Sequence, residues 1–132
     1  MAAHVVTLRV RYAETDQMGV AHHSAYVPWL EEARIEWLRA IGHSYRDLEA
    51  GGILMPVIEL QVRYQRSVRF DDQVTLTTTA EAAGPSRMVF RTVLSHGEAT
   101  CATASVTVAA VNAAGRPIRL PAAIVAAASP SA

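Results

Sequence analysis

Hydrophobic and polar residues alternate over 4–12: Val6, Leu8, Val10 and Tyr12 share one side, and Thr7, Arg9 and Arg11 the other. A period of two predicts a half-buried strand. Between Tyr26 and Ile41 the period changes. Tyr26, Leu30, Ala33, Trp37 and Ile41 recur at helical spacing, with Glu31, Glu32, Glu36 and Arg39 mostly opposite, which predicts a long amphipathic helix. Ser24 is placed to cap its start, Pro28 is tolerated only near a helix N-terminus, and Gly42 stops it. A short helical turn over Tyr45–Ala50 follows and ends at Gly51-Gly52.

The rest of the chain reads as strands. Pro56, Ile58, Leu60, Val62 and Tyr64 alternate with Glu59, Gln61, Arg63 and Gln65. Val74, Leu76, Thr78 and Ala80 alternate with three threonines and Glu81. Gly84-Pro85-Ser86 turns the chain into a strand carrying Met88, Phe90 and Leu94 on one face. His96-Gly97-Glu98 leads to the last strand, with Ala102, Ala104, Val106 and Val108 on one side. Residues 112–115 form a turn, and residues 122–132 are expected to be a frayed tail. Strand, long helix and four strands joined by hairpin-like turns predict an α+β fold of two layers, with Ala102 and Ala104 small enough to admit the helix close to the sheet.

Composition narrows the class. At 132 residues the chain, 1–132, has the size of one domain with a real core. No apolar run reaches the roughly 18 residues that span a bilayer. The N-terminus lacks the pattern of a signal peptide, and the single Cys101 fits a reducing cytoplasm rather than a disulfide framework. The net charge is zero, but residues 1–62 hold five Arg against eight Asp and Glu, and residues 63–132 hold seven against four. Overall neutrality argues against nucleic-acid binding. Every positive charge is arginine, the residue suited to bidentate contact with phosphate, although compositional bias also explains the missing lysine.

The chemistry concentrates between Arg11 and Arg34, in RYAETDQMGVAHHSAYVPWLEEAR. Asp16, Gly19, His22 and His23 fall in one loop that leaves a strand and enters the long helix. A carboxylate near a helix start faces backbone N–H groups that can hold a developing negative oxygen, which suits a hydrolytic site. Asp is also a common turn residue. Adjacent histidines seldom converge on one ion, and no HxxxH or cysteine cluster is present, so no metal is expected. No glycine-rich phosphate loop is present either. Cys101 has no histidine partner pattern nearby. Trp29 and Trp37 read as packing residues, with Trp29 near enough to the helix start to touch an acyl group.

This stretch resembles the hotdog-fold acyl-CoA thioesterases of the 4-hydroxybenzoyl-CoA thioesterase superfamily, in particular their YbgC/FadM-like branch. The resemblance extends to YQRSVRFDD (residues 64–72), where Ser67, Val68 and Phe70 replace the usual proline, alanine and tyrosine. It implies a curved antiparallel sheet wrapped around one long helix, in subunits that pair as homodimers or homotetramers with active sites at the interface. It implies Asp16, in Thr15-Asp16, as nucleophile or general base, and His23 as the residue whose N–H forms the oxyanion hole. Gly19, His22, Tyr26, Arg66 and Arg69 complete the implied substrate-binding set, the arginines as contacts to CoA phosphates or as interface ion pairs. Arg87, Arg116 and Arg119 are weaker phosphate candidates. Glu31 and Arg34, at i,i+3, are expected to form a structural pair.

The function expected is hydrolysis of acyl-CoA to free acid and CoA. The thioester is the substrate and no cofactor is called for; an acyl-carrier protein is an alternative acyl donor. Two other functions are a hotdog enoyl-CoA hydratase or dehydratase, whose usual motif is not found here, and a non-catalytic acyl-CoA or acyl-carrier binder. The acyl group itself is not legible.

Overall fold

The computed structural model describes residues 3–128. Strands β1 (His4–Arg9), β2 (Val57–Tyr64), β3 (Gln73–Ala82), β4 (Arg87–His96) and β5 (Ala99–Ala109) form one antiparallel sheet in the order β1-β3-β4-β5-β2. Helices α1 (Tyr26–Ala40) and α2 (Tyr45–Ala50) fall between β1 and β2. The chain has a hotdog fold. Its α1 packs on β1, β3 and β4, so Ala102 and Ala104 on β5 are not the main bed for the helix, contrary to expectation.

The two periodicities meet in the core. Val74, Leu76 and Ala80 of β3, Met88, Phe90 and Leu94 of β4, and Ala102, Val106 and Val108 of β5 are buried. They face Tyr26, Trp29, Leu30, Ala33, Trp37 and Leu38 of α1. Thr78 and Thr92 also point inward; they are cross-strand partners, and their hydroxyls bond at 2.8 Å, which satisfies a polar pair inside the apolar layer. The Trp37 indole N–H has no such partner among the described residues, and its ring packs edge-on to Phe90.

Several local expectations are corrected. Strand β1 ends at Arg9, so Tyr12 is exposed and packs edge-on against Phe70 rather than joining the buried face. Ser24 does not cap α1: a 3-10 turn, His23–Ala25, precedes the helix, and the His22 ring caps that turn by accepting the Ser24 N–H. On β2 the expected buried face is open. Ile58, Leu60 and Tyr64 are 39–48% exposed, as is neighbouring Val57, because β2 is an edge strand and α1 packs mainly on β1, β3 and β4; β2 also skips register between Val57 and Glu59. Residues 122–127, expected to fray, form helix α3 (Ala122–Ala127) with Ile124 fully buried. The last four residues of the expected tail, 129–132, lie outside the described residues.

A candidate active site at the start of the long helix

The loop that carries Asp16 is held on all sides. Thr15 Oγ1 donates to the Tyr12 carbonyl at 2.7 Å. The Asp16 N–H donates to the Val20 carbonyl, the Gly19 N–H to the Asp16 carbonyl, the Ala21 N–H to the Val68 carbonyl and the His22 N–H to the Glu14 carbonyl, all within 2.7–2.9 Å. Gly19 supplies a φ of 81°, in the region that side chains disfavour, and this closes the turn. Arg69 reaches back to the Gly19 carbonyl at 3.4 Å.

Glu14 is the brace that sequence reading missed. Its carboxylate accepts the Arg11 N–H and the Trp29 indole N–H, each at 2.8 Å, so it joins the loop to α1. Burial pushes its pKa up, but the hydrogen bonds from the Arg11 backbone and Trp29, with the Arg11 charge, outweigh that and leave it lowered. The one signal in the sequence is an acidic residue placed to cap a turn just after a strand. Trp29 is thereby a packing and bracing residue, and it does not line the cleft described next.

Asp16 lines a cleft of about 300 Å³ with His23, Tyr26, Tyr64, Arg66 and the apolar Val20, among others. Asp16 Oδ1 accepts the Met18 N–H at 2.9 Å and the Val20 N–H at 3.4 Å; its Oδ2 has no partner among the described residues. In the turn that follows, the Ser24 and Ala25 N–H groups both bond to His22, and the His23 N–H has no acceptor among the described residues. Tyr26 is buried, its hydroxyl has no partner among the described residues, and burial raises its pKa, so it remains a neutral donor. The residues that line the cleft therefore bring a half-tethered carboxylate, a backbone N–H and a phenol, the last two without partners among the described residues.

The structure separates the remaining candidates. Arg66 lines the cleft and makes no ion pair among the described residues. Arg69 does not line it; its side chain braces Gly19. His22 faces a different depression, beside Arg11, Ser24 and Pro28, with its ring stacked on His23 at 4.1 Å. Arg87, Arg116 and Arg119 are absent from the cleft lining. Arg34 and Glu31 pair as expected, but at 4.0 Å, with Arg34 12% and Glu31 62% exposed. Met18, Val20, Tyr64, Gln65 and Ser67 are lining residues the sequence reading did not single out. Among the described residues no group of three or more His, Cys, Asp or Glu is arranged to hold a metal ion, and no helix is long and apolar enough to cross a membrane.

Residues 18–103 match the family model described as the thioesterase superfamily. The chain belongs to that family. The match includes Gly19, His23, Tyr26 and Arg66 and begins two residues after Asp16. Within the family the chain falls in the YbgC-like branch. It is 33% identical over 93 residues to the acyl-CoA thioester hydrolase YbgC of Escherichia coli, covering 70% of this chain and 69% of that protein. It is 35% identical over 74 residues to YneP of Bacillus subtilis, covering 56% of this chain and 54% of that one. The aligned regions span 50–66% of the first three curated relatives it matches. Among solved structures, the DHNA-CoA thioesterase of Staphylococcus aureus superposes with a TM-score of 0.87 at 33% identity, covering 91% of this chain and 82% of that chain. A hypothetical protein from Aquifex aeolicus superposes with a TM-score of 0.90 at 24% identity, over 96% of this chain and 99% of that one, a likeness of fold alone.

Proposed function

We propose that this protein hydrolyses acyl-CoA thioesters to a free acid and CoA. The observation that carries the reading is that Asp16 and His23 line one cleft, and that neither Asp16 Oδ2 nor the His23 N–H has a partner among the described residues. Two backbone N–H groups tether Oδ1 and aim the carboxylate, leaving Oδ2 to take a proton from water. The resulting hydroxide attacks the thioester carbonyl carbon, and the carbonyl oxygen gains the charge that the His23 N–H is placed to hold. Collapse of the tetrahedral intermediate expels the CoA thiolate, which leaves as thiol after taking up a proton. Arg66, which lines the cleft and has no ion-pair partner among the described residues, is the candidate for a CoA phosphate. Membership of the thioesterase superfamily and the activity named for YbgC support this assignment.

The functional unit is proposed to be a homodimer. Strand β2 presents an unpaired edge and an apolar face, and both are features that a second copy of the same strand would cover. The cleft lies at the end of this strand, so a partner there would complete its wall. Buried, unpaired Cys101 fits the reducing cytoplasm proposed as the location.

A panel of butyryl-, decanoyl- and benzoyl-CoA, with one acyl-carrier-protein thioester and free-thiol detection, tests the reading. Thiol release above the uncatalysed rate is expected. Hydration of crotonyl-CoA without thiol release, or tight binding without turnover across the panel, would contradict it.

A further inference from the structure

The Tyr64 hydroxyl donates to the carbonyl oxygen of His23 at 2.8 Å, across 41 residues of sequence. Tyr64 closes strand β2, where it pairs with Ala102 of β5. The next two N–H groups, of Gln65 and Arg66, both end on the Cys101 carbonyl, at 2.8 and 3.0 Å. The Tyr64 ring stands edge-on to Tyr26, with centroids 4.9 Å apart and planes at 88°. Backbone pairing and ring contact thus fix where this hydroxyl points.

At the other end of the bond, His23 is held through both of its flanking peptides. The peptide before it is fixed by its own carbonyl, that of His22, which accepts the Ala25 N–H at 2.9 Å. The peptide after it is fixed by Tyr64 on the His23 carbonyl and by the His22 ring on the Ser24 N–H. Of these contacts, only the one from Tyr64 comes from outside the turn itself. The free N–H lies in the plane of the peptide before His23, and fixing the peptide after it restricts how that plane can turn about the His23 Cα.

We infer that Tyr64 is a positioning residue: its hydroxyl clamps the carbonyl that follows His23, and so restrains the turn that keeps the His23 N–H aimed at the oxyanion. The inference rests on the thioesterase reading above and adds a part to it. A donor aimed at charge that develops only in the transition state acts on kcat, whereas a contact made equally to bound substrate acts on KM. The clamp also ties the geometry of the site to the edge strand, because the hydroxyl is carried by β2.

The test is Tyr64→Phe, which keeps the ring and its contact with Tyr26 and removes only the donor. It is assayed with butyryl-, decanoyl- and benzoyl-CoA beside Asp16→Asn, and amide hydrogen exchange is followed at Ser24, whose N–H belongs to the clamped peptide and is bonded to the His22 ring. The expected result is a fall in kcat of about 3- to 10-fold, the range set by the net worth of one hydrogen bond, with KM and melting temperature near wild type and faster exchange at Ser24. Wild-type kcat, or unchanged exchange at Ser24, would overturn the inference. So would a loss confined to KM, or one accompanied by a matching loss of thermal stability. If Asp16→Asn turns over at the wild-type rate, or the wild-type protein releases no thiol, the hydrolase reading fails, and the exchange at Ser24 still decides whether the clamp exists.

Discussion

The Trp29 indole donates to Glu14 at 2.8 Å, and this bond fastens the first turn of the long helix to the segment that leads into Asp16. Removing the carboxylate strands two donors, the indole and the Arg11 N–H. Glu14→Ala is expected to cost about 1–3 kcal/mol of stability, read from chemical denaturation, and to lower activity by loosening the loop. The folded-state pKa of Glu14 is lowered, so its contribution is full above the unfolded carboxylate pKa and disappears as pH falls through the folded one. Acid unfolding below about pH 4.5 is therefore expected to be less steep in Glu14→Gln than in the wild type. Identical acid slopes would remove this role from Glu14.

Gly19 sits at a φ of 81°, and a Cβ there would meet only Arg69 Nη1 at 3.4 Å. The obstacle to a side chain is thus the backbone conformation rather than space. Gly19→Ala is expected to cost about 1–2 kcal/mol and to reduce kcat by displacing the Met18 and Val20 N–H groups that aim Asp16. Full stability with full activity would show that the turn tolerates another conformation.

How much of this was legible in the sequence depended on whether a segment is buried on one side. Strands β3 and β4 and helix α1 each press one face into the core, so their period survives in their residues: Val74, Leu76 and Ala80 on one, Leu30, Ala33 and Trp37 on another. Strand β2 carries the same alternation, yet Ile58 and Leu60 stay largely uncovered among the described residues. Periodicity reports that a face is apolar and not what covers it. In the site, Asp16, Gly19 and His23 are local in sequence and could be read from one string. Tyr64 and Glu14 could not be read that way. Tyr64 acts through a contact 41 residues away, and Glu14 looks like any loop carboxylate until the Trp29 indole is brought to it. The family resemblance assigns His22 and Arg69 to the substrate site; here the His22 ring faces a different depression and Arg69 reaches the Gly19 carbonyl.

The buried threonine pair predicts a non-additive cycle. Thr78→Val alone leaves the Thr92 hydroxyl without its 2.8 Å partner, and about 1–3 kcal/mol is expected to be lost. The double variant, with Thr92→Val, replaces both hydroxyls by methyl groups of similar shape and is expected to recover most of that loss. Additive destabilisation in thermal or denaturant melts would contradict the pairing.

The open face of β2 makes the proposed dimer testable by charge. Leu60 lies on that edge strand and is partly exposed. Leu60→Glu is expected to shift the sedimenting species from dimer to monomer, because two copies would place like charges in an apolar contact. An unchanged sedimentation coefficient would move the interface elsewhere.

The central claim is that Asp16 drives the chemistry, and the rate of thiol release by Asp16→Asn tests it most directly. Asparagine keeps the size of the side chain and an oxygen to accept the Met18 N–H, but it can take no proton. A loss of kcat of about 100-fold or more is expected, in line with removal of a general base, with the fold intact by circular dichroism. Turnover within a few-fold of the wild type would contradict the account.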